Sequence, residues 1–118
     1  MDLEVQHLED GIDRVRLAGR LDTAGVEAVD ARLSALTTTQ AARLLVDLSQ
    51  VTFLASIGIR SLLTGARSLK QRGGRMAILN PQSVVAEVLE LTGIATLIPV
   101  FHDLEAASAA LKSPTAGA

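Results

Sequence analysis

Leu3-Glu-Val-Gln-His-Leu8 alternates apolar and polar residues, the period of a half-buried strand. Asp10-Gly11 follows as a hairpin turn signal. Ile12 to Ala18 then alternates again, Val15 and Leu17 against Arg14 and Arg16. Past Gly19-Arg-Leu-Asp22 the period changes, and Val26, Val29, Leu33 and Leu36 fall at helical spacing. Asp22 or Thr23 suits the cap of that helix, and the β-branched cluster Thr37-Thr-Thr39 is expected to end it. Arg43-Leu-Leu-Val-Asp-Leu48 is a short, nearly continuous apolar run, the pattern of a strand covered on both faces. Ser49 to Leu54 reads as a loop. Ile59, Leu62, Leu63, Ala66 and Leu69 form one helical stripe, with Arg60, Arg67 and Lys70 among its polar positions, and Gly73-Gly74 is its stop. Met76 to Leu79 is the next strand. Asn80-Pro81 opens a turn into a helix carrying Val84, Val85, Val88 and Leu89, ended by Gly93. Leu97 to Val100 reads as a last strand, and Pro99 places it at an edge because proline cannot donate to a ladder. Asp103 is suited to cap a final helix through Leu111.

The order ββαβαβαβα predicts the α/β class: a mixed, mostly parallel sheet behind an N-terminal hairpin, packed by about four α-helices around one core. Residues 1–112 are expected to form a single domain, and 113–118 a flexible tail.

Composition narrows the functions. Of 118 residues, 48% are hydrophobic, so a packed globule is expected. Aromatic residues are 2%, with no Trp or Tyr, which weighs against base stacking and an aromatic-lined groove. The net charge of -2 favours neither nucleic acid nor an anionic membrane as partner. Without cysteine there is no disulfide, thiolate zinc site or cysteine nucleophile. No apolar run approaches the ~18 residues of a membrane span, and the N-terminus lacks a basic segment followed by an apolar core. A cytoplasmic protein without direct membrane insertion is expected.

The candidate chemistry centres on Ser56, which stands beside Gly58 where an apolar run meets an amphipathic helix. Two roles fit. One is an N-cap, in which the serine oxygen accepts from the first-turn N–H groups, at about 1 kcal/mol. The other is a regulatory hydroxyl, whose phosphate would meet the positive end of the helix dipole and unpaired N–H donors. Gly58 would allow close approach, and Arg60, one turn on, would lean toward that phosphate. Asp22 is a helix cap or a partner-contacting carboxylate. Asp47 is better suited to a structural role, such as support of the Ser56 loop, than to catalysis. A receiver-domain aspartate is disfavoured, because no lysine stands at the end of Leu97 to Val100. Gly73-Gly74 lies between a helix and a strand, the wrong order for a phosphate loop. His7 and His102 form no ligand pattern. No enzyme, metal site or cofactor is expected.

Five segments carry a family resemblance: Leu17-Ala-Gly-Arg-Leu-Asp22, Leu45-Val-Asp-Leu-Ser49, Val51-Thr-Phe-Leu-Ala-Ser-Ile-Gly-Ile59, Arg72-Gly-Gly-Arg75 with Leu79-Asn-Pro81, and Val88-Leu-Glu-Leu-Thr-Gly-Ile94. In that order and spacing, over about residues 3 to 112, the chain resembles the STAS domain of bacterial anti-sigma factor antagonists, also found on the cytoplasmic tails of sulfate transporters. In phosphorylatable members the loop reads Asp-Ser-Ser/Thr-Gly-Leu, and the serine is modified by a partner that is both anti-sigma factor and kinase. Ser56 matches that serine, Ala55 stands in place of the aspartate, and Ile57 in place of the second hydroxyl residue. The resemblance implies a partner-switching protein that binds an ATP-binding serine kinase of the anti-sigma type. It would bind through Asp22, Thr23, Ala55, Ser56, Ile57, Gly58 and Arg60. Phosphorylation of Ser56 would end the complex, a phosphatase would restore it, and the protein would be a monomer or weak homodimer. Two other roles are compatible: a constitutive, unphosphorylated subunit of a transport complex, and a small-ligand-sensing STAS domain.

Overall fold

The computed structural model describes residues 1–40 and 43–112. Five strands form one sheet: β1 (Asp2–His7), β2 (Ile12–Leu21), β3 (Arg43–Leu54), β4 (Arg75–Leu79) and β5 (Val100–Phe101). They lie in chain order, β1 antiparallel to β2 and the rest parallel. The helices are α1 (Thr23–Ala35), α2 (Ser56–Gln71), α3 (Ser83–Leu91) and α4 (Leu104–Lys112). This is the predicted order and the predicted class.

Strand alternation divides the core in two. Val15 and Leu17 of β2 with Leu44, Val46 and Leu48 of β3 pack against Val26, Val29 and Leu33 of α1, Leu62 and Leu69 of α2, and Val85 and Leu89 of α3. On the other face, Ile12, Leu45, Ala77 and Leu79 meet Ala107 and Leu111 of α4. The continuous run in β3 therefore has helices on both sides, and each buried leucine there contributes roughly 1.5–3 kcal/mol.

Three local expectations are corrected. Ser49 to Leu54 is strand, since β2 runs on to Leu21 and pairs with it, through Gly19↔Val51 and Leu21↔Leu54, with register shifts after Arg16 and Gly19. Val51 and Leu54 are buried while Gln50, Thr52 and Phe53 are exposed, so the segment is half-covered and its polar residues need no loop. Thr37-Thr-Thr39 does not end the first helical segment, which widens into a π turn over Leu36–Gln40. There the threonine hydroxyls donate back to the carbonyls of Ser34 and Ala35, offsetting their poor helix propensity. The last strand holds only Val100–Phe101, because Ile94–Thr96 forms a 3-10 turn and the chain joins the sheet after Pro99. Its edge position is as expected. Asp103 caps α4 by accepting from Glu105 and Ala106, and that helix extends to Lys112. The expected tail, 113–118, lies outside the described residues.

Candidate functional site

The C-terminal ends of β2 and β3 lie side by side, and each feeds a helix: β2 through Asp22 into α1, β3 through Ala55 into α2. Two glycines let both helices start close against β2. A Cβ on Gly25 would stand 1.9 Å from the Arg20 carbonyl oxygen. One on Gly58 would stand 2.8 Å from Leu54 Cδ1 and 2.9 Å from the Leu21 carbonyl oxygen. The Ala55 N–H donates to that same Leu21 oxygen at 3.0 Å, tying the α2 entrance to the Asp22 turn. Gly58 stood out in the sequence, but Gly25 did not, since only the folded position of Arg20 shows what a side chain would meet.

Asp22 is the α1 cap. Its Oδ1 accepts from the Gly25 N–H at 2.9 Å and its Oδ2 from Arg20 Nε at 3.3 Å. The Gly25 bond, aided by Arg20, holds its carboxyl below the ordinary aspartate value. Thr23 is the first, exposed residue of α1.

Ser56 is not a cap, contrary to one of its expected roles. Ala55 holds the N-cap position, with extended backbone at φ -92° and ψ 169° and no side-chain hydrogen bond. The Ala55 carbonyl accepts from the Gly58 and Ile59 N–H groups at 2.9 and 3.1 Å, so Ser56 is already the first helical residue. Its hydroxyl is exposed and has no hydrogen-bond partner among the described residues.

Two large apolar residues close to Ser56 in the chain are exposed. Phe53 is 38% and Ile57 36% exposed. The Arg20 guanidinium lies 4.2 Å from the centre of the Phe53 ring, a cation–π contact that holds ring and charge together. Arg60 is exposed and makes no ion pair among the described residues. It borders, with Ile57, Glu27 and Asp30, a cleft of about 380 Å³ between α1 and α2. Asp22, Thr23, Ala55, Ser56, Ile57 and Gly58 thus meet at one end of the sheet, with Arg60 a turn further along α2.

Asp47 does not support the Ser56 loop. Its Oδ1 accepts from the Ser49 N–H at 2.9 Å, and its Oδ2 from Arg14 Nε and Nη2 at 3.1 and 2.5 Å and Arg16 Nε at 3.3 Å. Burial alone would raise its carboxyl, but the bonds from Ser49 and Arg14 bring it below the ordinary value. Sequence reasoning missed this cluster. The usable signal was the pairing of β2 with β3, which sets Arg16 opposite Asp47. His7 contacts Asp13, its cross-strand neighbour. Among the described residues there is no group of three or more His, Cys, Asp or Glu able to hold a metal, and no helix long and apolar enough to cross a membrane.

Comparison with known proteins agrees with this architecture. The sequence profile of the STAS domain matches residues 6–107. The chain is 32% identical over 104 residues to BtrV of Bordetella bronchiseptica, named as an anti-sigma factor antagonist, with 88% of this chain and 90% of that protein covered. The crystal structure of an anti-sigma factor antagonist from Mycobacterium paratuberculosis has a TM-score of 0.84 at 24% identity, covering 95% of this chain and 94% of the other. SpoIIAA, a Bacillus cell fate determinant solved in its phosphorylated form, has a TM-score of 0.70 at 23% identity, over 92% and 99% of the two chains. At these identities the two structures establish a shared fold.

Proposed function

The chain belongs to the STAS domain family, and from that premise we propose that it is a partner-switching anti-sigma factor antagonist whose binding is ended by phosphorylation of Ser56. The role follows the name of its Bordetella relative. The observation that carries the finer reading is the exposed Ser56 hydroxyl, without a hydrogen-bond partner among the described residues, at the first position of a helix of 16 residues. The unmodified serine is neutral and the nearby Phe53 and Ile57 are exposed, which suits a partner with an apolar recess. That partner is an ATP-binding anti-sigma factor with serine kinase activity, docked on Ser56, the first turn of α2 and the Asp22–Thr23 turn. A phosphate on Ser56 adds about -1.5 to -2 charge. The helix N-terminus accommodates it within the free domain, while an apolar recess on the partner opposes it. A phosphatase resets the switch. The protein does no catalysis itself and works in the cytoplasm.

The test is intact-mass spectrometry of the protein isolated from its own host, with and without phosphatase, beside Ser56→Ala, together with identification of co-purifying proteins. One phosphatase-sensitive phosphate, lost in Ser56→Ala, and a kinase-like partner retained only by unmodified protein are expected. An unmodified protein under several growth conditions, with no kinase-like partner, overturns the switch. The apolar Ala55 and Ile57 then favour a constitutive subunit of a transport complex. Thermal stabilisation that grows with nucleotide concentration would instead identify a ligand sensor.

A further inference from the structure

The two edges of the sheet are unlike. β5 holds only Val100–Phe101 and follows Pro99, so that edge is short and blunted. β1, at the other edge, runs from Asp2 to His7 without a proline and pairs with β2 in one unbroken register. The phase of that ladder fixes which peptide groups are left over. The Leu8 N–H donates to the Ile12 carbonyl at 2.7 Å, and the same register continues through Gln6↔Arg14, Glu4↔Arg16 and Asp2↔Ala18. In an antiparallel pair, hydrogen-bonded and non-hydrogen-bonded positions alternate. Leu3, Val5 and His7 therefore turn their N–H and C=O groups away from β2. Among the described residues no strand lies on that side, and no loop or cap bonds to these groups.

The side chains along β1 favour a second copy of the chain as the occupant. Leu3 and Val5 pack on the helix-covered face, while Asp2, Glu4 and Gln6 are exposed on the other. Let two β1 strands run antiparallel about a two-fold axis normal to the sheet. Centred on Val5, that residue faces Val5 of the second copy, Leu3 faces its His7 and Glu4 faces its Gln6. Every free residue then has a hydrogen-bonded mate. Two β-branched side chains meet at the axis, and no like charges stand directly opposite. Centring on Glu4 instead opposes two carboxylates. Centring on Gln6 sets Leu3 against the Glu9–Gly11 turn, where no strand can pair with it.

We propose that β1 is a homodimer contact, at which two copies join edge to edge, centred on Val5, into one continuous sheet. The contact is made mainly of backbone bonds and buries little area, so the dimer is weak and forms towards millimolar protein. The two-fold axis reverses strand direction. Ser56 follows the C-terminal end of β3, so the two copies carry that residue at opposite ends of the joined sheet. Each copy keeps its own site open, and the proposal does not rest on the Ser56 reading.

Amide exchange of the ¹⁵N-labelled full chain at micromolar and at millimolar concentration tests the edge, and cysteine trapping tests the register. In the concentrated sample, exchange at Leu3, Val5 and His7 should slow about twofold or more, while Glu4 and Gln6, already bonded to β2, stay unchanged. The chain has no cysteine, so Glu4→Cys, Val5→Cys and Gln6→Cys each carry a single thiol. Residues opposed at a hydrogen-bonded position lie about 5.5 Å apart at Cα, within the span of about 4.4–6.8 Å that a disulfide bridges. Mild oxidation should therefore link Val5→Cys about fivefold or more above the other two, although positions 4 and 6 are the more exposed. His7→Pro removes an N–H that β2 does not use; it should keep the far-UV circular dichroism of the fold and lose the concentration dependence. Exchange independent of concentration, equal trapping at the three positions, or trapping greatest at 4 or 6 overturns the proposal. Protection of Leu3, Val5 and His7 already present at micromolar protein and lost on deletion of 113–118 identifies the chain's own tail as the occupant and overturns it likewise.

Discussion

Replacing Asp47 by asparagine tests whether the buried charge cluster holds β2 against β3. Asn keeps an oxygen for the Ser49 N–H. Its other terminal atom becomes a donor facing the three arginine N–H groups that now bond to Oδ2. Stripping one partner from a buried ion pair costs about 3–5 kcal/mol. The Arg14 side chain is only 18% exposed and cannot regain its hydration without leaving the sheet. Arg16, at 43%, can turn to water. That relief sets the cost at the lower end, about 3 kcal/mol. In a chain of 118 residues this lowers the melting temperature by roughly 10–15 °C. With no Trp or Tyr to report by fluorescence, urea unfolding followed by far-UV circular dichroism is the suitable assay. The effect has a pH signature. The folded carboxyl lies below its ordinary value, so it stabilises the fold above the unfolded aspartate value, about 3.9, and loses that contribution as pH falls through the lower folded value. The gap between wild type and Asp47→Asn should be full at neutral pH and shrink in acid. Wild-type stability for Asp47→Asn at neutral pH, or a gap unchanged in acid, refutes the reasoning.

Two further substitutions probe the helix starts at the site. Asp22→Ala removes the cap from α1 and should loosen its start, seen as several-fold faster amide exchange confined to the first turn, Thr23 to Val26; unchanged exchange there would deny the cap its role. Gly58→Ala places a methyl 2.8 Å from Leu54 Cδ1 and 2.9 Å from the Leu21 carbonyl oxygen, and should cost about 1–3 kcal/mol. Because it pushes α2 away from Leu21, it should also shift the Ala55 and Ser56 amide resonances, and a variant as stable as wild type with those resonances in place would show that the close approach is not required.

What the sequence disclosed, and what it hid, divides by how far the deciding partner lies along the chain. The helical stripe from Ile59 to Leu69 and the apolar run in β3 carry their own periods, so they could be read locally. Ser49 to Leu54 could not, because its strand character depends on β2 continuing to Leu21, some 33 residues earlier at Leu21↔Leu54. The Asp47 cluster depends on the same pairing. At Ser56 only the cap alternative failed, by a phase of one residue. Serine before an amphipathic run is the ordinary mark of a cap, but the Ala55 N–H bonds to Leu21 and its carbonyl receives the first two helical bonds. That backbone link advances the helix start by one position and takes over the capping place without a side chain. A capping serine has its oxygen engaged by the helix it begins. One position later the hydroxyl is left unengaged, beside a helix end that favours an anion. Ala55 at the cap position therefore takes the capping role from Ser56 and leaves its hydroxyl exposed, as an oxygen that accepts a phosphoryl group must be.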